Sequence, residues 1–301
     1  MTKYTFSGHE TFYCRHYWLK KGVDYVIQGN NFSSPDAVTK LGVGKNMVTS
    51  IRFWLKSFGI LSHDKNNITF IGNYLFSEEN GKDPYLEDIN SLWLLHYLLI
   101  SEKAASLYAL FFLKLRLGEK EFTDEKVKDL LNRHLKKEAI ALPNEKSLTA
   151  DVKVLRSNYL PPTNSKNVED DFSGLLQDLG IIKPLGTKKY IIENQQRKNL
   201  STEILVYSII DLYENTLASQ DHNRGDFSIS INQLLSDEQY NVAKIFCLNE
   251  QGLLDKIQEL QNDSFYNGKI TYSENAGIRE LQIIKDLKKE DILNKYYNGV
   301  K

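Results

Sequence analysis

Residues 31–76 constrain the fold more than any other part of the sequence, because two short helical patterns follow one another across a glycine-rich break. Two serines, Pro35 and Asp36 form a typical helix start, in which a capping side chain precedes a proline and an acid. Gly42 and Gly44 then interrupt the first pattern, since glycine accepts the positive φ angles of a tight turn between packed helices. The pattern therefore predicts a helix-turn-helix.

A longer amphipathic pattern follows the break, over residues 45–58. Its apolar residues recur at helical spacing and are expected to form a buried stripe: Met47, Val48, Ile51, Trp54, Leu55 and Phe58. Residues 62–71, with a polar tip at 64–67, resemble a two-stranded hairpin. Two helices followed by such a hairpin are typical of a winged helix-turn-helix.

The outward face of the second helix carries side chains of the kinds that contact DNA. Arg and Lys bind phosphate or guanine, Asn pairs with adenine, and Thr or Ser serves either role. We expect groove and phosphate contacts from Lys45, Asn46, Thr49, Ser50, Arg52 and Lys56, and hairpin contacts from Lys65 and Asn66. Residues 1–76 hold nine basic and four acidic residues, a net +5 in a chain whose total is −1. The alternative is a protein-interaction module whose helix shows an ordinary solvated face.

Helices followed by paired strands recur along the chain. Further helices are predicted over residues 86–100, 104–117, 123–135, 147–159, 168–179, 201–217, 232–235 and 248–261. Strand pairs are predicted over residues 181–184 with 189–192 and 268–272 with 279–284, and residues 228–231 are a candidate third strand of the second pair. The predicted fold class is mainly α with small β-hairpin wings, as tandem winged helix-turn-helix units in one compact body. The predicted domains are residues 1–80, 81–197 and 198–301.

Composition excludes several classes of protein. With 41% hydrophobic and 26% charged residues, the chain is typical of soluble globular proteins. The apolar stretch at 92–100 is too short to span a bilayer, and no signal-peptide pattern opens the chain. Only Cys14 and Cys247 are present, which argues against a disulfide scaffold and fits a reducing compartment. We therefore expect a cytoplasmic protein without membrane association.

Residues 6–16 gather side chains that could bind a metal or an anion: His9, Glu10, Cys14, Arg15 and His16. Imidazole and thiolate both suit zinc, but a structural zinc site needs a second pair of ligands, and the other histidines and Cys247 stand alone. We expect the segment to brace the first winged helix through its aromatic residues, with Arg15 contacting a phosphate. No metal or cofactor is expected.

Motifs of common enzymes are lacking. Residues 41–46 resemble a phosphate-binding loop but lack its spacing and do not follow a buried strand. No nucleophile elbow, metalloprotease helix or kinase motif occurs. The acidic run Glu169, Asp170 and Asp171 suggests a magnesium-dependent nuclease, although acids at a helix start more often compensate the helix dipole. The sequence therefore predicts a protein that is not an enzyme.

The N-terminal motifs resemble those of a known family. They are FSGHETF at 6–12, Arg15, WLKKG at 18–22, Asp36 with Ala37, LGVGKNMV at 41–48 and IRFWL at 51–55. These stretches resemble the hallmarks of the bacterial domain-of-unknown-function family 4007, and the resemblance covers the whole chain with its specific motifs in the first 60 residues. It implies a protein of bacterial defence islands, found near sulfur-transfer enzymes of the phosphoadenosine phosphosulfate reductase type that are associated with DNA phosphorothioation. It supplies no catalytic residues.

These observations predict a recognition or regulatory subunit of a defence or DNA-modification system that binds double-stranded DNA. The alternative is a non-catalytic adaptor that holds a sulfur-transfer or nuclease partner, for which an exposed apolar patch over 92–112 would be the signature. A nuclease built on the acidic run is the third possibility.

Overall fold

A computed structural model of the protein describes residues 4–64, 66–116, 118–161, 174–218, 225–284 and 286–299. Contacts divide the chain into two units, Met1–Glu193 and Asn194–Lys301. The described residues form thirteen α-helices and two three-stranded antiparallel sheets, and each sheet lies within one unit. The mainly helical fold with small β-hairpins is thus confirmed. The three-domain division at residues 80 and 197 stays a prediction.

The described part of the first unit contains eight α-helices. They are α1 (Trp18–Ile27), α2 (Ala37–Leu41), α3 (Lys45–Ser57), α4 (Phe70–Phe76), α5 (Ile89–Ser101), α6 (Ser106–Leu110), α7 (Asp124–Lys137) and α8 (Glu145–Tyr159). A π-helical turn, Phe111–Leu115, continues α6. The first half of the helix predicted over 168–179 lies outside the described residues, and its described end is a 3₁₀ turn at Gln177–Leu179.

Helix α3 buries the apolar stripe that its sequence predicts. Ile51, Trp54 and Leu55 are fully buried. Helix α1 packs against this stripe at a glycine, because a Cβ on Gly22 would lie 2.6 Å from Leu55 Cδ1. Gly42 ends α2 with a φ of 62°, the left-handed conformation expected of the turn. The two predicted helices and the glycine turn between them are therefore present.

The prediction of a two-stranded hairpin over residues 62–71 is wrong. Leu61 and Ile68 form one isolated antiparallel bridge, and the chain then enters α4. Thr69 caps this helix, since its hydroxyl accepts a hydrogen bond from Gly72 N–H at 3.2 Å. The helix cap prevails over the strand propensity of the residues that follow it.

Helix α5 lies inside the first unit. Every residue from Asn90 to Ile100 is buried, which is the expected environment for a helix that is apolar on all sides. Phe111 and Phe112 of the π-helical turn are also fully buried. The expectation that an adaptor would expose an apolar patch over 92–112 is therefore wrong, because the apolar side chains of this stretch form the core.

The sheet of the first unit joins strands from distant parts of the chain. Its strands are β1 (Glu121–Phe122), β2 (Ile182–Pro184) and β3 (Tyr190–Ile192), in the order β1-β3-β2. The predicted strand pair is confirmed as β2 and β3. Strand β1 was not predicted, because two residues are too few for an alternating pattern.

The second unit has its own helices and sheet. Its elements are α9 (Thr202–Ala218), β4 (Phe227–Ser230), α10 (Ile231–Ser236), α11 (Val242–Phe246), α12 (Glu250–Asn262), β5 (Ile270–Asn275), β6 (Ile278–Ile283) and α13 (Lys289–Gly299). The sheet order is β4-β6-β5, so the candidate third strand pairs with the final hairpin as expected. Across the described ranges, none of the helices has the length and apolar character needed to cross a membrane.

Candidate nucleic-acid interface

The first half of α3 presents three polar side chains to solvent. Lys45, Asn46 and Thr49 are all exposed, and we call them the entry face. Thr49 Oγ1 lies 3.5 Å from Lys45 O, one turn earlier in the helix. Within the described residues the Lys45 ammonium forms no ion pair. The entry face is therefore available to a ligand.

The N-terminus of α3 has no capping side chain. Gly44 occupies the N-cap position with extended backbone angles, φ −63° and ψ 158°. The first N–H groups of the helix therefore lack a side-chain acceptor, and such groups at a helix N-terminus bind anions. A Cβ on Gly44 would meet no atom within 4 Å, so packing does not require glycine here.

The second half of α3 uses its two cations to hold the loop that follows. Arg52 Nη2 and Nε donate to Asn66 Oδ1 at 3.0 and 3.3 Å. Lys56 Nζ donates to the carbonyl oxygen of His63 at 2.8 Å. Burial lowers the pKa of Lys56, and the neighbouring Arg52 charge lowers it further. Arg52, Lys56 and Asn66 thus brace the loop, and their DNA contacts stay predictions.

Two residues expected at the interface need separate treatment. Ser50 is fully buried, one helical turn before Trp54 on the buried side of α3. The prediction that Ser50 contacts DNA is therefore wrong, because a buried hydroxyl cannot reach a groove. Lys65 lies outside the described residues.

Residues 6–16, the N-terminal arm, contact both α3 and α8. The His9 ring stacks on Trp54 of α3, with centroids 6.0 Å apart and 11° between the planes. His9 Nε2 also lies 2.7 Å from Oδ1 of Asp151 in α8. The same carboxylate accepts a hydrogen bond from Ser7 N–H at 2.9 Å. Sequence reasoning missed Asp151, since no local pattern links it to a histidine so far away in the chain.

Backbone contacts fit the N-terminal arm closely to α3. A Cβ on Gly8 would lie 2.4 Å from Phe53 Cδ2, so only glycine allows this approach without a shift of the ring. The indole Nε1 of Trp54 donates to the carbonyl oxygen of Phe12 at 3.1 Å. These contacts account for the glycine at position 8 and hold the arm against α3.

The cysteine of the N-terminal arm is buried. Cys14 is fully buried, and this burial raises the pKa of its thiol well above the ordinary value. Metals bind the thiolate, so a thiol that stays protonated is a poor ligand. Among the described residues, no three His, Cys, Asp or Glu side chains form a group that could hold a metal. The acidic run Glu169, Asp170 and Asp171 lies outside the described residues.

Arg15 follows Cys14 and lies next to the start of α1. Its guanidinium carbon is 5.4 Å from the ring centroid of Trp18, and its side chain is half-buried. Its backbone forms an isolated bridge with Gly174. The contact of Arg15 with a phosphate stays a prediction.

Comparison with known proteins finds a family model and two crystal structures that are similar to this chain. Residues 6–297 match the family model described as "Protein of unknown function (DUF4007)". The magnesium ion-bound crystal structure of SspB is 26% identical, covers 98% of this chain and 88% of its own, and superposes with a TM-score of 0.80. A second SspB crystal structure is 27% identical, with the same coverage and TM-score of 0.80. No curated protein matches the sequence.

Proposed function

We propose that this chain, which belongs to the DUF4007 family of proteins of unknown function, binds double-stranded DNA as a non-catalytic recognition or regulatory subunit. The contact surface is the entry face of α3 together with the uncapped N-terminus of that helix. The charge of α3 is the observation that carries this proposal. The helix has three basic residues and no acidic residue.

The order of elements identifies two further helices with which α3 can be compared. In both sheets the first strand in the chain pairs with the last, in the orders β1-β3-β2 and β4-β6-β5. In both, helices separate the first strand from a closing hairpin. We interpret both sets of elements as winged helices, in which α8 and α12 take the position that α3 takes in the N-terminal helix-turn-helix. In that N-terminal helix-turn-helix, one β-bridge, between Leu61 and Ile68, replaces the wing.

The three equivalent helices differ in charge. Helix α8 has three basic and two acidic residues, whereas α12 has one basic and three acidic residues. Only α3 of the three lacks acidic residues, which would repel the phosphates of DNA. This difference supports α3 as the helix that enters the groove.

The two units also differ in net charge. Residues 1–193 contain 26 basic and 23 acidic residues, a net +3, whereas residues 194–301 contain 12 basic and 16 acidic residues, a net −4. DNA binding by the first unit leaves the acidic second unit for a protein partner. In our proposal this partner is a sulfur-transfer or other protein of a defence or DNA-modification system, which retains the adaptor interpretation for the second unit.

The entry face supports a specific mode of contact. In helix-turn-helix proteins, residues near the N-terminus of the recognition helix contact base edges in the major groove. Asn46 is suited to bidentate pairing with adenine, and Thr49 to a base or phosphate one turn later. Lys45 and the uncapped N–H groups of α3 are suited to the adjoining phosphate.

Fluorescence anisotropy of a labelled duplex, titrated with the full chain at several salt concentrations, tests the proposal. We expect Lys45→Gln with Asn46→Ala to weaken binding. We also expect it to make the salt slope, which is the slope of log binding constant against log salt concentration, shallower by about 0.9, the contribution of one phosphate contact. The matched control is Lys198→Gln with Gln258→Ala, two exposed positions of the second unit. Wild-type protein that shows no salt-dependent binding, or equal losses in both variants, would contradict the proposal.

The same titration tests the proposed link to DNA modification. A duplex with phosphorothioate linkages replaces the unmodified duplex, with sequence and length unchanged. Tighter or weaker binding of the modified duplex supports recognition of the sulfur, and equal affinity limits the proposal to ordinary DNA.

A magnesium-dependent reaction on DNA is the second candidate function. It is favoured by the magnesium ion-bound structure of SspB. The described residues of this chain supply no group of three or more His, Cys, Asp or Glu for such an ion. Calorimetric titration with Mg²⁺ and incubation with supercoiled plasmid test this candidate, with Glu169→Gln, Asp170→Asn and Asp171→Asn combined as the variant. Nicking by the wild-type protein that chelator abolishes would overturn the non-catalytic assignment.

A further inference from the structure

The β2–β3 hairpin of the first unit has a fixed base and an exposed tip. The Tyr190 ring of β3 stacks with Phe122 of β1, with centroids 6.0 Å apart and 21° between the planes. Tyr190 is 1% exposed. Beyond the paired strands, Leu185 N–H donates to the carbonyl oxygen of Lys189 at 2.9 Å, which leaves residues 186–188 as the tip loop. Core packing therefore holds the hairpin in place while its tip stands in solvent.

The hairpin concentrates positive charge. Lys183, Lys188 and Lys189 are all exposed. No acidic residue occurs between Asp178 and Glu193 in the sequence. Within the described ranges, none of the three lysines is neutralised by an ion pair. The hairpin therefore presents three uncompensated cations on a short, well-anchored element.

The backbone of Lys188 is unusual for lysine. Its φ is 59°, in the left-handed region where glycine is free of strain and residues with a Cβ are not. Gly186, two residues earlier, has a φ of 68° and fills the other left-handed position of the tip. Strained positions of this kind are enriched at functional sites. The turn therefore places a lysine side chain at a position of the tip where glycine would be less strained.

The corresponding hairpin of the second unit lacks this charge. Glu274 and Glu280 lie on β5 and β6, to either side of its turn. Arg279 is neutralised, since its Nη2 lies 2.7 Å from Oε1 of Glu250. A basic tip is therefore not a general consequence of a hairpin at this place in the sheet.

We propose that the β2–β3 hairpin is a second DNA-binding element, in which Lys183, Lys188 and Lys189 bind phosphates of the duplex backbone. This inference rests on the proposed DNA-binding function and extends it from α3 to another surface of the same unit. Lysine binds phosphate as a point charge, so the hairpin adds affinity without reading sequence.

Anisotropy titrations of the full chain with a labelled duplex at several salt concentrations test the hairpin. In the hairpin variant, Lys183, Lys188 and Lys189 are all replaced by Gln. We expect roughly tenfold weaker binding at moderate salt and a salt slope that is shallower by about 2.7, because each phosphate contact contributes about 0.9. The matched control replaces three lysines of the second unit with Gln and is expected to leave the slope unchanged: Lys198, Lys244 and Lys288.

The outcomes separate this inference from the proposed function. If the hairpin variant keeps the wild-type affinity and slope while Lys45→Gln with Asn46→Ala loses binding, the hairpin inference is overturned and the proposed function stands. If the wild-type protein does not bind duplex, both are overturned. Lys188→Gly separates charge from folding, because it relieves the left-handed strain. We expect it to melt no lower than wild type and to bind more weakly, and unchanged affinity would contradict a phosphate contact by Lys188.

Discussion

The imidazole of His9 donates a buried hydrogen bond to the carboxylate of Asp151. Nε2 and Oδ1 are 2.7 Å apart, and the two side chains are 5% and 3% exposed. Thr11 N–H donates to His9 Nδ1 at 3.2 Å, so the proton of the neutral ring lies on Nε2 and points at Asp151. Because the ring also stacks face to face on Trp54, a single side chain links α8 to α3. The geometry of the candidate DNA-binding helix therefore depends on the N-terminal arm.

Removal of this link should destabilise the first unit. We expect His9→Ala to lower the free energy of unfolding by about 1–3 kcal/mol, because it removes the imidazole hydrogen bond to the buried Asp151 carboxylate and leaves that carboxylate only its bonds from Ser7 N–H. Urea unfolding followed by tryptophan fluorescence measures this change. The control is His63→Ala, since His63 is 52% exposed and 3.4 Å from Glu102. Exposed pairs contribute about 0–1 kcal/mol, so similar losses in the two variants would contradict the structural role of His9.

Trp54→Ala tests the orientation of α3. Trp54 is fully buried and its indole nitrogen donates to the N-terminal arm, so truncation should cost about 3 to 5 kcal/mol and unfold the first unit. Phe70→Ala is the control, because Phe70 is 48% exposed and its truncation should cost much less. Circular dichroism melts measure both variants. A normal melt for Trp54→Ala would show that the helix has the wrong face inward.

The helix-turn-helix was predictable because its information is local. The spacing of Ile51, Trp54 and Leu55 defines a helical stripe, and the glycine at 42 marks the turn. Ser50 was misassigned because it lies at the edge of that stripe, where periodicity does not decide whether a small side chain faces the core. Local patterns therefore predict where the helices lie better than they predict which small side chains at the edge of a helix face are buried.

The remaining features depend on contacts that no local pattern contains. His9 and Asp151 come together only after the N-terminal arm has packed between α3 and α8. The short strand β1 forms because Tyr190 and its neighbours offer it a pairing edge. In the loop after α3, the Thr69 hydroxyl caps α4 and also donates at 2.6 Å to the carbonyl oxygen of Gly59, ten residues earlier in the chain. Each of these outcomes is set by tertiary partners and not by propensity.

The loop after α3 should respond to the loss of the Arg52 and Lys56 side chains that hydrogen-bond to it. We expect Arg52→Ala with Lys56→Ala to weaken duplex binding with the fold intact, because both cations hold the loop and neither belongs to the core. Arg52→Lys keeps the charge but loses the paired hydrogen bonds to Asn66, so it should preserve the salt slope while loop amides exchange faster. Hydrogen exchange and anisotropy measure the two effects. Unchanged affinity in a well-folded double variant would remove these residues from the interface.

Arg15 provides a test of the N-terminal arm in DNA binding. If Arg15 contacts a phosphate, Arg15→Gln should weaken binding evenly across duplex sequences and reduce the salt slope by about 0.9. Its contact with Trp18 at a half-exposed site is worth only about 0.5–1 kcal/mol, so the melting temperature should change little. Anisotropy with several duplex sequences checks this expectation. An unchanged slope would restrict Arg15 to a structural role.

A substitution at Gly44 should change the stability of the first unit and its affinity for DNA in opposite directions. A side chain fits at this N-cap, whose backbone is already extended, and Asp both caps a helix and complements its dipole. We therefore expect Gly44→Asp to stabilise the first unit by about 0.5–1 kcal/mol. The same carboxylate would occupy the N–H groups that we propose for a phosphate and would repel that phosphate, so duplex affinity should fall.

Gly44→Ser and Gly42→Asp complete this test. Serine caps the helix without adding charge, so it should lose less affinity than aspartate at the same position. Gly42 has a φ of 62°, so aspartate there strains the turn and should lower stability. Thermal melts and anisotropy on the same preparations measure both quantities. A Gly44→Asp protein that is more stable and binds duplex as well as wild type would show that DNA does not approach the N-terminus of α3.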